Sequence, residues 1–136
     1  MEKYNIDRDI SLFYKQATSF PMGVGGAFAA LQALLPQPDG RLLYGISNPN
    51  KDGAIIYRAA TEEAYPGEGR EKACETFLVR KGSFISLYLA NWKKDESGIG
   101  QSFRKLLSYP GIDPMGYCLE IYENNNDVRC LVPLTR

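Results

Sequence analysis

The sequence predicts an α+β fold in which two tandem strand–helix–strand–strand repeats form a curved antiparallel sheet with two helices on one face. Two segments, residues 24–35 and 95–109, carry apolar side chains at helical spacing. Each follows a β-rich segment and precedes two alternating segments joined by turn residues. The same order of elements therefore occurs over residues 10–60 and over residues 73–134, although few residues are identical between the halves.

The bulk composition indicates one globular domain of 136 residues, with 44% hydrophobic and 24% charged residues. Sixteen basic residues balance sixteen acidic ones, so we expect no direct nucleic-acid partner and no membrane partner. The longest apolar stretch, residues 27–35, is too short to span a bilayer. The first ten residues carry no hydrophobic signal region, and we expect a cytoplasmic protein.

The chain has no histidine, which excludes Ser-His and Cys-His nucleophile pairs and histidine-ligated metal sites. It also leaves haem without its commonest axial ligand, and we expect no cofactor and no metal. Cys74, Cys118 and Cys130 are far apart in sequence. A Cys118–Cys130 disulfide is conceivable, but we favour reduced thiols packed as small apolar groups.

The first repeat follows a polar N-terminal segment, residues 1–9, that we expect to be frayed. Residues 10–18 form a predicted strand. The helix over residues 24–35 has an apolar stripe, and Pro36 ends it. Next come a turn, a strand, a second turn and another strand. These four elements span residues 37–40, 42–47, 48–53 and 54–60.

Three glycines, Gly23, Gly25 and Gly26, crowd the start of the first helix. A glycine-rich helix start can receive a phosphate. The spacing does not match the dinucleotide fingerprint, and no Walker lysine follows. We therefore interpret these glycines as close packing or entry-turn geometry.

The second repeat begins after a charged surface connection, residues 61–72. Residues 73–92 are β-rich, with a bend at residues 81–82. Beyond the bend, alternation places an aliphatic set on one face, which suits packing against helices. It places Phe84, Tyr88 and Trp92 on the other face, which must be covered or line a groove. The second helix, residues 95–109, is followed by a hairpin over residues 116–134.

The hairpin carries a lone carboxylate, Glu120, in the middle of its first strand. Alternation places Leu119 and Ile121 on one side, as ordinary core, and Glu120 with Tyr122 on the other. Two interpretations stay open at this point. The Glu120 face meets water, or it lines a cavity in which Glu120 is the charged anchor, because ionised carboxylates are rarely buried without a partner. With both helices on one face, the opposite face of the sheet is free to curve around another group.

Several motifs resemble the GyrI-like small-molecule-binding superfamily, which includes effector-binding domains of multidrug-sensing transcription regulators. They are PMGV before the first helix, LLYGIS in the second strand, NWKK before the second helix, and CLEIYE followed by VRCLVPL. The last pair is similar to the family's "E-x-Y … v-P-l" ending. The resemblance covers residues 10–134.

The resemblance implies a ligand cleft between two repeats, lined by aromatic side chains, with an acid near its floor. Glu120 matches that acid and Tyr122 the neighbouring tyrosine. The expected wall also includes Tyr44, Tyr88, Trp92 and Phe84. The implied partner is a small hydrophobic, planar or cationic organic molecule. The regulators carry a separate DNA-binding domain, so this chain would be a stand-alone member.

Two other functions follow from the same resemblance. Some superfamily members are hydrolases of reactive strained-ring xenobiotics, for which Glu120 with Tyr44, Tyr88 or Tyr122 would be the catalytic candidates. The family name comes from a DNA gyrase inhibitor, so a protein partner is a further alternative. Arg58, in the middle of a strand, pairs with a carboxylate in the cleft or extends to water, and we favour the second.

Overall fold

The computed structural model describes residues 1–36 and 40–136, and within these residues eight strands form one antiparallel sheet. The strands are β1 (Glu2–Ile6), β2 (Ile10–Gln16), β3 (Leu43–Pro49), β4 (Ile55–Glu62), β5 (Glu75–Val79), β6 (Gly82–Leu89), β7 (Cys118–Tyr122) and β8 (Val128–Pro133). The α-helices are α1 (Val24–Gln32), α2 (Glu68–Glu71) and α3 (Ser97–Leu107). The predicted α+β class with a curved antiparallel sheet is confirmed. The turn predicted for residues 37–40 lies outside the described residues except for Gly40.

The strand order is symmetric about the pair formed by β7 and β3. The full order is β1-β6-β8-β7-β3-β4-β2-β5. β5, which follows the first half in sequence, pairs with β2, and β1 pairs with β6. Each half therefore reads strand–strand–helix–strand–strand, one strand more than predicted, and receives its outer strand from the other half.

The prediction that residues 1–9 are frayed is wrong, because β1 forms a regular ladder with β6. Its polar residues suit an edge strand, in which one face meets water. On the inner face Ile6 is only 7% exposed. The Arg129 guanidinium holds this strand by a 3.0 Å bond to Glu2 and by stacking 4.6 Å from the centre of the Tyr4 ring.

The two long helices lie on one face of the sheet, as predicted. α1 packs on β2 and β4, and α3 packs on β6 and β8. Leu31 of α1 and Leu106 of α3 are fully buried at these contacts. β7 and β3, the central pair, lie between the two helices, so the middle of the sheet is the floor of the space that separates them.

The opposite face of the sheet is not free, because it curls around a core of its own. Leu119 and Ile121 belong to this core, as their alternation predicted. The buried side chains of the cluster are Ile6, Ile10, Leu12, Tyr44, Ile46, Ala60, Val79, Phe84, Leu119, Ile121 and Leu131.

The three cysteines are free thiols, as predicted. Burial raises the pKa of Cys118 to about 11 and that of Cys130 to about 12, so both thiols stay protonated at neutral pH. None of the helices in residues 1–36 and 40–136 is long and apolar enough to cross a membrane.

The connection predicted as surface, residues 61–72, contains a fully buried acid, Glu68. Its carboxylate lies 2.8 Å from Arg41 and 3.0 Å from Lys72, and it accepts a 2.7 Å bond from the Ala64 amide. Burial alone would raise the pKa of Glu68, but these hydrogen bonds outweigh it and lower the pKa to about 2. The cluster ties the segment before β3 to the segment after β4.

We predict that Glu68→Gln lowers the free energy of unfolding by about 3 kcal/mol at pH 7, because Arg41 and Lys72 lose a buried counter-charge. A depressed pKa means that the folded state binds fewer protons, so the stabilisation is present above the unfolded pKa and disappears as pH falls towards 2. Urea denaturation between pH 7 and pH 3 measures this.

The control is Glu62→Gln, which removes an exposed ion pair with Arg8 of 2.6 Å and should cost less than about 1 kcal/mol. Equal losses for the two variants at pH 7 would contradict the assignment.

Candidate functional site

A cavity of about 700 Å³ lies between α1 and α3, above the central strands β7 and β3. Its walls come from both helices and from the segments that precede them. Its floor comes from the sheet, with Glu120 and Tyr122 of β7, Tyr57 of β4, and Leu43 and Ser47 of β3. The cavity is therefore on the helix-bearing face, whereas we expected the helix-free face to curve around another group.

Glu120 lies at the centre of the floor and is only 5% exposed. Tyr57 Oη donates a 2.7 Å hydrogen bond to Glu120 Oε1, and Tyr122 Oη donates a 2.5 Å bond to the same oxygen. Oε2 has no hydrogen-bond partner among residues 1–36 and 40–136. The interpretation in which Glu120 is solvated is wrong, because the rings around the cavity cover it.

Aromatic side chains surround the carboxylate in a chain of contacts. The ring of Phe28 lies 6.1 Å from that of Tyr57 and 5.7 Å from that of Tyr122. Phe20 extends the chain on one side, 5.8 Å from Tyr57, and Trp92 on the other, 5.5 Å from Tyr122. Around Glu120 the cavity is thus lined by ring faces and edges, which suit apolar and cationic groups.

Trp92 adds an unpaired hydrogen-bond donor to this wall. Its indole Nε1 is buried and has no hydrogen-bond partner within the described part of the chain. Buried donors without acceptors cost free energy and are rare. The site therefore holds both an acid and a donor whose bonding capacity the protein leaves open.

No described ion pair includes Glu120, in contrast to Glu68, which has two cations. Burial raises the pKa of Glu120, and the bonds from Tyr122 and Tyr57 pull it partly back. Burial and the neighbouring carboxylate raise the pKa of both tyrosines, so the tyrosines remain donors. When it is ionised, Glu120 thus has two hydrogen bonds but no ion-pair partner among the described residues. Lys93 also lines the cavity, and its ammonium lies 5.8 Å from the ring centre of Trp92.

Gly45 makes room for this arrangement. In the central strand pair it lies directly opposite Glu120. A Cβ atom at Gly45 would overlap Tyr57 Oη and lie 2.6 Å from Glu120 Oε1. Because Gly45 has no Cβ atom, the side chains of Tyr57 and Glu120 can meet above β3.

The structure brings three of the predicted site residues together, namely Glu120, Tyr122 and Trp92. Trp92 joins them because β6 ends at Leu89 and Asn91 has a positive φ of 53°, which begins a 3₁₀ turn over Trp92–Lys94. The alternation of β6 therefore does not extend to Trp92, and its ring lies on the helix face rather than with Phe84 and Tyr88.

Tyr44, Phe84 and Tyr88 lie on the opposite face, so the prediction that they share a cleft with Glu120 is wrong. The register explains Tyr44, because its neighbour Gly45 faces Glu120 and successive side chains alternate. Phe84 is buried in the opposite core and lines a separate cavity of about 570 Å³. Tyr88 is 43% exposed and donates a hydrogen bond to Asp127.

Arg58 is also on the opposite face and follows neither sequence-based interpretation fully. It donates a 2.7 Å bond to Asn48 Oδ1. Its guanidinium lies 5.3 Å from the ring centre of Tyr14 and 5.5 Å from that of Phe77. It makes no contact with the acid of the cavity.

Sequence reasoning missed Tyr57, Gly45, Phe20 and the cavity-lining role of Phe28. Phe28 belongs to the apolar stripe of the first helix, and it packs against the core while also lining the cavity. The sequence indicated only that Tyr57 and Ala59 share one face of β4. Deciding that this is the cavity face requires the pairings Ser47–Tyr57 and Gly45–Ala59.

Solved structures with similar folds include the following three. SAV2435, determined with tetraphenylphosphonium bound, has a TM-score of 0.67 at 10% identity, covering 98% of this chain and 93% of its own. An integron cassette protein from Vibrio cholerae has a TM-score of 0.66 at 14% identity, covering 98% and 95%. A putative transcription regulation protein from Staphylococcus aureus has a TM-score of 0.61 at 11% identity, covering 99% and 97%. No protein-family model and no curated protein matches the sequence.

We predict that Gly45→Ala destabilises the protein by about 1–3 kcal/mol, because the new methyl group must displace Tyr57 or Glu120 from their hydrogen bond. Chemical denaturation measures the loss. Gly26→Ala is the control, since a Cβ there meets nothing within 4 Å and alanine favours the helix by up to about 1 kcal/mol. If Gly45→Ala were as stable as Gly26→Ala, the close contact at the floor would be refuted.

Proposed function

We propose that this chain binds a hydrophobic organic cation in the cavity between α1 and α3, with the positive charge close to Glu120. The observation that carries the proposal is a carboxylate, 5% exposed, that has two hydroxyl donors and no counter-cation among the described residues. A buried charge without a partner is costly, and a cationic ligand would supply that partner.

The aromatic wall supports the same ligand class. Tyr57, Tyr122, Phe28 and Trp92 present ring surfaces around the acid. A cation over such a ring gains about 0.5–2 kcal/mol, depending on how far it is desolvated. Micromolar binding needs about 8 kcal/mol in total, so the apolar surface that the ligand buries must supply a large share. The ligand is therefore both charged and bulky enough to fill the space.

The fold likeness to SAV2435, which was determined with tetraphenylphosphonium bound, is compatible with this proposal. So is the likeness to a putative transcription regulation protein. Together with the CLEIYE and VRCLVPL motifs, these likenesses support membership of the GyrI-like superfamily, which we propose for this chain. The role would be to sense or sequester the cation.

Hydrolysis by the same carboxylate is the second candidate. Its supporting observation is that Oε2 of Glu120 has no partner among the described residues and that the side chain lines the cavity. A carboxylate whose pKa is raised by burial is suited to activate a water or to donate a proton. Tyr57 and Tyr122 would orient the acid. This function differs from binding alone in that Glu120→Gln would keep affinity and lose turnover.

We predict that Glu120→Gln weakens binding of tetraphenylphosphonium by at least about tenfold at pH 8, because it removes the negative charge that Glu120 places on the cavity floor. Titration calorimetry measures the change. In the unsubstituted protein affinity should fall as pH decreases through the raised pKa of Glu120, since protonation removes the same charge. The Gln variant should lack this pH dependence.

Two controls accompany this measurement. Glu96→Gln removes an exposed acid at the rim of the cavity and should change affinity only slightly. Glu120→Gln itself should fold, because Gln keeps an acceptor for Tyr57 and Tyr122. A raised pKa means that ionised Glu120 lowers stability at high pH, so the variant should be no less stable than the parent at pH 8. Equal affinities of parent and Glu120→Gln for the cation would refute the proposal.

A further inference from the structure

The two long helices carry the same pattern on the sides that line the cavity. In α1 the sequence is Val24-Gly25, then Phe28 and Leu31; in α3 it is Ile99-Gly100, then Phe103 and Leu106. The leucines are fully buried against the sheet. The three preceding positions line the cavity in both helices, so the internal repeat supplies matching walls.

Neither Gly25 nor Gly100 is explained by packing or by backbone conformation. A Cβ at Gly25 would meet nothing within 4 Å, and one at Gly100 would meet only Arg104 Nη1, at 3.8 Å. Neither residue has a positive φ. By contrast, a Cβ at Gly23 would overlap the backbone of Ser19, and one at Gly98 would lie 3.1 Å from Leu89. Close packing therefore accounts for Gly23 and Gly98 but not for Gly25 and Gly100.

Glycine inside a helix costs up to about 1 kcal/mol relative to alanine. Gly26 is a useful comparison for Gly25, because both glycines have room for a side chain. It has the same open surroundings as Gly25 but does not line the cavity. Its counterpart in α3 is Gln101, whereas the counterpart of Gly25 is again a glycine. Both repeats thus omit the side chain at the position that faces the cavity.

We propose that Gly25 and Gly100 are specificity-determining positions that keep the gap between α1 and α3 wide enough for a thick, non-planar organic cation. This inference rests on the proposed function and narrows its ligand class. A separate observation indicates that the cavity holds a ligand. Glu120 is only 5% exposed, and its Oε2 atom has no hydrogen-bond partner among the described residues. The charged centre lies over this acid, and the arms of the ligand extend between the two glycines.

The test uses leucine substitutions, because leucine favours helices and fills the gap. Gly25→Leu and Gly100→Leu are compared with Gly26→Leu, the control on the same helix that does not line the cavity. Calorimetry at pH 8 measures affinity for a bulky cation, tetraphenylphosphonium, and a slim one, benzyltrimethylammonium. We expect either cavity-facing variant to lose about 10- to 100-fold in affinity for the bulky cation, and to retain the slim one within about threefold. Gly26→Leu should match the parent for both cations.

Unchanged tetraphenylphosphonium affinity in Gly25→Leu and Gly100→Leu would overturn the inference and leave the proposed function intact. An equal loss of both cations would also overturn it, since the glycines would then not select by size. Neutral, bulky triphenylphosphine oxide separates the two claims. If the parent bound it as tightly as the cation and Glu120→Gln changed neither, the proposed function would fail while the leucine variants still tested the gap. A parent protein that bound none of the three probes would overturn both claims.

Discussion

The pairing of Gly45 with Glu120 across the two central strands determines the geometry of the site. It sets the carboxylate at the middle of the sheet, between the two helices that flank the central pair. Because Gly45 has no side chain, Tyr57 can reach over β3 from β4 and donate to Oε1, while Tyr122 donates from β7. The floor of the cavity depends on these contacts, and the walls of the cavity are built around it.

Two buried glutamates, Glu68 and Glu120, differ in their charged neighbours and therefore in the direction of their pKa shifts. Glu68 is paired with Arg41 and Lys72, its pKa is depressed, and it stabilises the fold at neutral pH. Glu120 has donors without a counter-charge, and burial raises its pKa. Proteins retain such uncompensated groups at the expense of stability where function requires them. The contrast between these two acids, within one chain, is the physical basis for the binding role that we propose for Glu120.

Local periodicity was sufficient for much of the fold. The helical stripes that include Leu31 and Leu106, and the alternation that buries Leu119 and Ile121, are properties of short segments, and the structure buries these four side chains. Leu107, at the end of the second stripe, is 50% exposed. The faces of Tyr44 and Tyr57 were not predictable in this way. They depend on the register of β3 against β7 and β4, which joins residues distant in sequence, and a shift of one residue exchanges the faces.

Two further features of the structure were not predictable from hydrophobic periodicity. The 3₁₀ turn that carries Trp92 to the cavity follows from the left-handed conformation of Asn91, which many asparagines in loops do not adopt. The strand β1 is polar because it is an edge strand, and its pairing with β6 links residues of opposite repeats. Glu120 and Tyr122 could be placed together from the sequence because both lie on one face of one strand. The other residues of the cavity come from separate elements, and only the tertiary structure brings them together.

The most direct test is a measurement of the pKa of Glu120, by carbon NMR of its labelled carboxyl group, with and without saturating tetraphenylphosphonium. If the cation is the counter-charge that the protein lacks, ligand binding should lower the pKa of Glu120 by about one unit or more, which corresponds to about 1.4 kcal/mol of coupling. A pKa that is unchanged or higher in the presence of bound cation would contradict the account, because the ligand would then bind without drawing on the charge of Glu120.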